Sequence, residues 1–229
     1  MPDQRVSNER KKELEQLDPF QENLLKTMAA AKKYQTQLFL VAGAIVIVIT
    51  VLSGVMYSFK KAEEKASELV SQVLTRYEKA TKPLAGYDAV KEDFQKIFSA
   101  YANTASGKLA RVKFAKICYD AAKFGQSYEG YKSSLDVYKN DPAMRNFLLM
   151  SLGHVSLERG NVKEAQSYFE KVEKGKSDLL KDEAQFAMAM LYEASNNSAE
   201  SEKLYEKIAT AYEDSMYQDI ALSKTSMLR

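Results

Sequence analysis

One histidine, His154, and one cysteine, Cys118, are the only imidazole and thiol among 229 residues. A thiolate–imidazole pair would make a nucleophile, and either group could ligate a metal. Both uses need further members: an orienting group for the pair, three or four ligands for the metal. The sequence offers none at a suitable spacing. A lone thiol in a helical stretch reads instead as a small buried residue, and one cysteine leaves no intrachain disulfide. The acidic pairs Asp182-Glu183 and Glu213-Asp214 fall at expected helix ends, where solvated charge is the ordinary role. No P-loop, GxGxxG or nucleophile-elbow pattern occurs. The chain is therefore expected to be no enzyme, with no cofactor, no metal and no small-molecule substrate. Net charge is +2, without a basic face or arginine cluster, so no nucleic-acid partner is expected either.

What remains is binding, and the elements that would present it. Leu38–Phe59 is an uncharged run of 22 residues rich in Val, Ile and Leu. As a helix it would span roughly 33 Å, enough for a hydrocarbon core of about 30 Å. Lys32, Lys33 and Tyr34 precede it and Tyr57, Phe59, Lys60 and Lys61 close it, as headgroup regions favour. The run starts too late and is too long for a cleavable signal peptide. It reads as a single-pass anchor in contact with the lipid bilayer. Flanking lysines tie between the two sides. The long downstream segment, which can translocate regardless of charge, favours a cytoplasmic N-terminus.

The rest is poor in β-branched residues, and its prolines, at positions 2, 19, 83 and 142, stand where helices would start or stop. The expected fold is all-α. Residues 1–18 are charged and short of apolar side chains, and Asp18-Pro19 has the form of a helix start. Phe20, Leu24, Met28 and Ala31 follow on one helical face. After the anchor, Ala62, Ala66, Leu69, Val70, Val73, Leu74 and Tyr77 recur at helical spacing up to a break at Thr81–Pro83 and Gly86. From Asp88 onward, helices of 12–18 residues alternate with turns near 104–107, 125–126, 140–142, 160–161, 174–177 and 196–197.

Those helices repeat. Leu152-Gly153, Gly160, Ala165, Phe169 and Val172 resemble the tetratricopeptide repeat, with Leu-Gly in its first helix and Ala-x-x-x-Phe in its second. Thirty-five residues earlier, Ile117-Cys118, Gly125, Gly130, Ser134, Val137 and Pro142 take the same slots. Thirty-six later stand Met188-Ala189, Asn196, Ser201, Tyr205 and Ile208. Small residues belong where the two helices cross closely, and Gly or Asn belongs at the turn. In this register Ser134 replaces the usual aromatic. Phe94–Phe98 with Tyr101 reads as the second helix of an earlier partial hairpin. Ser215–Leu228, with Met216, Ile220, Leu222 and Met227, reads as a closing helix, which a solenoid needs because each repeat buries its face only against neighbours.

The expected architecture is a tail (1–37), a transmembrane helix (38–59), a helical stalk and linker (60–86) and an α-solenoid of about three tetratricopeptide-like hairpins (87–229). It resembles the bacterial inner-membrane family of ancillary SecYEG translocon subunits. That resemblance implies a periplasmic repeat domain and, as partners, the SecYEG translocon or periplasmic chaperones and their clients. The function expected is a membrane-tethered protein–protein interaction scaffold, assisting translocon-linked or envelope protein handling. An N-anchored receptor with cytosolic repeats, or a structural subunit of a larger membrane assembly, would be written with the same residues.

In superhelical repeats the first helix of each hairpin lines the concave side. The register puts Tyr119 and Lys123 there from the first repeat. Phe147, Met150, His154 and Glu158 come from the second, and Phe186, Met190 and Glu193 from the third. Repeats that clamp a terminal carboxylate use Lys, Arg and Asn in such positions; here Lys123 alone qualifies. Aromatic and Met side chains instead suit an apolar or mixed segment. The alternative is that the stalk or the closing helix fills the groove, making the stripe core.

Overall fold

The computed structural model describes residues 19–228, with side chains from 20 to 226. The expectations for Met1–Asp18, including the Asp18 cap, and the Met227 side chain lie outside the described residues. Ten helices run among those described: α1 Pro19–Lys33, α2 Gln35–Glu78, α3 Pro83–Ala100, α4 Ala105–Asp120, α5 Phe124–Val137, α6 Pro142–Glu158, α7 Val162–Glu173, α8 Lys181–Ala194, α9 Ser198–Ala211 and α10 Gln218–Leu228. The chain divides into two compact units, one ending at Phe59 and one beginning at Lys60.

In the first unit, Tyr34 separates α1 from α2, yet Tyr34 N–H bonds Ala30 O and Leu38 N–H bonds Tyr34 O, continuing the helical pattern. The apolar side chains Leu38 to Phe59 are exposed on every side. Thr50, the polar hydroxyl at their centre, donates to Val46 O at 2.8 Å and so satisfies itself within its own helix. Among the described residues α2 alone is long and apolar enough to cross a membrane.

The second unit is a stack of helical hairpins. The segment read as a stalk, Lys60–Glu78, is the first helix of a hairpin whose second helix is α3. Ala66, Val70 and Val73 are buried, the latter two in one core with Val90, Phe94 and Ile97 of α3 and Ala110, Ile117 and Cys118 of α4. Gly86 is not a break but lies inside α3, under the Tyr77 ring, where a Cβ would sit 2.7 Å from that ring. Three more hairpins follow, α4/α5, α6/α7 and α8/α9, and α10 closes the stack. The Glu63 carboxylate accepts from Ser106 N–H at 2.9 Å near the start of α4, and Tyr77 O–H donates to Asp120 at 3.4 Å at its end. Both pairs are 43 residues apart, so Lys60–Glu78 and α4 run parallel. Phe186 with Tyr217 and Glu193 with Lys224 relate α8 and α10 in the same way.

The turns fix the true register. Ala122, Gly160 and Asn196 all adopt left-handed φ, at 56°, 75° and 58°. After each, a backbone bond returns to the fifth residue back: Lys123 N–H to Cys118 O, Asn161 N–H to Ser156 O and Asn197 N–H to Tyr192 O, at 2.7–2.9 Å. Ala122 is therefore the first repeat's counterpart of Gly160, 38 residues earlier rather than 35. Gly125 lies one residue inside α5, not at the turn. The small residues at the first crossing are Ala115 and Gly130; a Cβ on Gly130 would lie 2.8 Å from that of Ala115. Tyr131, fully buried, holds the aromatic slot assigned to Ser134. The second and third repeats match the expected register: Gly153 faces Phe169, and Ser201 O–H donates to Ala189 O at 3.0 Å.

Helix starts follow local chemistry. Thr104 Oγ1 accepts from Gly107 N–H, and Asp141 accepts from Met144 N–H ahead of Pro142. At the closing helix, Ala221 is buried, whereas Met216, Ile220 and Leu222 stay exposed. The tight approach to Tyr205 and Ile208 accepts a methyl group in preference to the larger side chains.

Glu164 ties α7 to its neighbours. It accepts from Tyr128 O–H at 2.6 Å and from Ser156 O–H at 3.0 Å. The Tyr128 bond first, then that of Ser156, holds its carboxyl below the ordinary value of 4.5, against the opposing effect of burial. A carboxyl depressed on folding contributes stability above its unfolded pKa and loses it as pH falls through the folded one. Melting curves taken from neutral pH into acid should therefore fall less steeply below pH 4.5 for Glu164→Gln than for the parent. Equal slopes would remove Glu164 from the acid sensitivity of the fold.

Candidate protein-binding cleft

The first helices of the hairpins leave two adjoining hollows. The larger, about 430 Å³, lies between Lys60–Glu78, α4 and α6. Leu74 and Tyr77 form one wall, Leu109, Val112, Lys113 and Lys116 the middle, and Met144 and Phe147 the far wall. The smaller, about 280 Å³, is lined by Lys116, Tyr119, Tyr131, Ser151 and His154. Lys116 borders both. The lining combines aliphatic and aromatic surface with cations, and the carboxylates of Glu78 and Asp120 also line the larger hollow.

Those charges are partly paired. Lys116 is salt-bridged to Asp120, one turn on, and Asp120 also accepts from Tyr77 O–H. Tyr119 O–H lies 3.5 Å from a Glu158 oxygen. Burial first, then the adjacent Asp120 charge, raises the Tyr77 hydroxyl pKa; burial and Glu158 do the same for Tyr119. Both phenols stay neutral hydrogen-bonding groups. His154 stands 3.3 Å from Glu183 and edge-on to Phe169 at 5.4 Å. Among the described residues no group of three His, Cys, Asp or Glu side chains is placed to hold a metal ion.

The residues expected to line a groove separate into distinct environments. Tyr119 and His154 meet in the smaller hollow, and Phe147, 39% exposed, stands in the larger. Met150 is only 3% exposed and belongs to the central core, so it is not open to a ligand. Lys123 is the residue before α5, at the hairpin turn, and lines neither hollow. Phe186 is stacked on Tyr217 at 4.5 Å, ahead of the closing helix. Met190 is exposed on α8, outside both hollows. Glu158 reaches Tyr119, whereas Glu193 is held by Lys224 and Tyr205. Lys60–Glu78 forms a wall of the cleft, and the closing helix covers part of the third repeat.

Of Leu109, Val112, Lys113 and Lys116, Val112 stands 35 before Phe147 and was passed over, and the other three were missed because the first repeat was set three residues out of register. Counting 38 back from Phe147, Met150, Ser151 and His154 reaches those four residues. The usable signal was Tyr131, an aromatic eight residues after the turn, as Phe169 is eight after Asn161.

No protein-family model matches the chain, and no curated protein is significantly similar to it. Among solved structures it is similar to a tetratricopeptide repeat protein from Parabacteroides merdae, with a TM-score of 0.54 and 14% identity. The match covers 76% of this chain and 60% of that one. At that identity the likeness concerns the fold, and the fold of this chain is an α-solenoid of tetratricopeptide-like hairpins preceded by one long apolar helix.

Proposed function

We propose that this chain is a membrane-tethered scaffold whose cleft captures an apolar or mixed polypeptide segment. The observation that carries the proposal is the open apolar surface of the larger hollow, where Leu109 and Phe147 are exposed between three first helices. The cleft lacks the uncompensated cationic cluster that a terminal carboxylate would require: Lys116 is engaged by Asp120, and the one other cation of the larger hollow, Lys113, shares its lining with Glu78. Leu38–Phe59 is the tether in this reading: twenty-two uncharged residues with their side chains exposed. Residues 1–37 remain in the cytoplasm, and the repeat domain works outside it at a bacterial inner membrane. Its proposed clients are polypeptides handled by the translocon or by envelope chaperones.

The test places a photoreactive side chain at Leu109, Phe147 or Val162 of the full chain in native membranes. Val162 is similarly exposed but begins a second helix. Adducts to polypeptide from Leu109 and Phe147, but not from Val162, are expected. Equal yields from all three positions would sink the cleft as the binding surface. A reporter fused after Arg229 reads orientation on the same membranes. Cytoplasmic reporter activity would favour the receptor reading with cytosolic repeats.

A further inference from the structure

A second cleft, about 510 Å³, opens between the α5–α6 turn and the α7–α8 loop. Its lining holds Lys139, Arg145, Lys171, Lys174 and Lys176, and no carboxylate. The neighbouring acids are occupied elsewhere or only weakly opposed. Asp141 caps α6 through Met144 N–H, Glu173 pairs with Lys207 at 2.8 Å, and Asp178 pairs with Lys181 at 3.0 Å. Glu170 reaches Lys174 only at 3.5 Å. Lys139, Arg145 and Lys176 form no ion pair with any described residue. The cationic loop is held in place: buried Asn146 donates to Ser177 O and Leu179 O at 3.0 and 2.8 Å. A Cβ on Gly175 would meet Asn146 Oδ1 at 2.7 Å.

This cleft sits on a particular edge of the repeat unit. Lys60–Glu78 and α4 run parallel, and Asn146, near the start of α6, meets the loop that leads into α8. Tyr119 and Glu158, 3.5 Å apart near the ends of α4 and α6, set those two helices parallel as well, so the starts of the first helices share one edge. It is the edge at which the unit begins, and Glu63, which holds Ser106 there, follows the last residue of the apolar stretch by only four positions.

We infer that the Lys139–Arg145–Lys174–Lys176 cleft binds the anionic phospholipid headgroups of the membrane in which the chain is anchored. The inference rests on the tethered reading above. Lysines and arginines near an anionic leaflet each contribute about fivefold in affinity, an effect screened within roughly 8 Å at physiological salt. Cations on two separate turns, around a compact hollow, suit a phosphate headgroup better than an extended polyanion. Lipid contact would fix the orientation of the edge while the larger hollow stays open to polypeptide.

The experiment uses the full chain in lipid nanodiscs, labelled with a fluorophore through Asn140→Cys. Cys118 is fully buried and its thiol is pushed up to about 12 by burial, so the introduced thiol takes the label. Quenching by headgroup-nitroxide lipid is expected to be strong in discs containing phosphatidylglycerol and weak in phosphatidylcholine discs. The ratio of lipid-bound to free cleft read from the quenching should fall about fivefold for each cation removed in the series Arg145→Gln, Lys174→Gln, Lys176→Gln, and fall again with added salt. Equal quenching in both lipids, or none in either, overturns the inference and leaves the tether intact. A chain that does not enter discs removes the tethered reading and this one with it. Inorganic phosphate changing the signal of detergent-solubilised protein as much as anionic discs do would assign the cleft to soluble anions and also overturn it.

Discussion

Gly153→Leu should unfold the repeat domain or lower its melting temperature by about 2–12 °C, the consequence of overpacking by about 1–3 kcal/mol in a domain of this size. Gly153 is buried in α6 where α7 crosses it, and an ideal Cβ there would lie 2.2 Å from Phe169 Cε1. The ring is held on other sides too: Phe169 is fully buried and lies edge-on against His154. Even Gly153→Ala must displace the ring or separate the helices, whereas Gly125→Ala meets nothing within 4 Å and should be close to neutral. Combining Gly153→Ala with Phe169→Leu should recover part of the loss, because the two residues compete for one space. A melting temperature for Gly153→Leu equal to that of the parent would mean that α6 and α7 do not cross there.

This crossing is also where the sequence was easiest to interpret. Leu152-Gly153, Gly160, Ala165 and Phe169 each carry the residue type that their position demands, so chemistry and spacing agree. In the first repeat they disagree. The left-handed turn residue is Ala122, a type with no preference for that conformation, while Gly125 three residues on offers a more conventional turn. The backbone bonds closing the turn, not side-chain type, decide the matter. The error then carried into the site, because a three-residue shift moves each assignment about 4.5 Å along its helix and turns it by about 60°. Tyr119 and Lys123 were named in place of Lys116 and Asp120, the residues 38 before His154 and Glu158, for that reason. Other features were legible by degree. The apolar run at 38–59 is long enough to be distinctive on its own, and Val70 and Val73 marked the buried face of the helix after it. That the helix would be a wall of the cleft depended on Ser106 and Asp120, 43 residues away, which periodicity does not register. At the closing helix spacing pointed to Ile220 and Leu222, but the close approach selected Ala221.

Tyr131 and Ser134 decide the register experimentally. Tyr131 is 2% exposed, in the central core and edge-on to Phe147 at 6.4 Å. Removing its ring in Tyr131→Ala takes away both transfer energy and packing, and large aromatic truncations in cores cost about 3–5 kcal/mol. In a domain of this size that corresponds to roughly 6–20 °C in melting temperature. The Ser134 hydroxyl only donates to Gly130 O, four residues back in its own helix, at 2.8 Å. Ser134→Ala leaves that carbonyl its helical partner and should cost less than about 1 kcal/mol. Tyr131→Phe keeps the ring and should remain near the parent, which assigns the loss to packing and not to the hydroxyl. The same substitutions carry the cleft with them. Phe147 leans on the Tyr131 ring, so Tyr131→Leu should weaken photoadducts from Phe147 while those from Leu109 persist. If Ser134→Ala proves the costlier change, the 35-residue spacing is correct, and Tyr119 replaces Lys116 as the counterpart of His154 on the inner face.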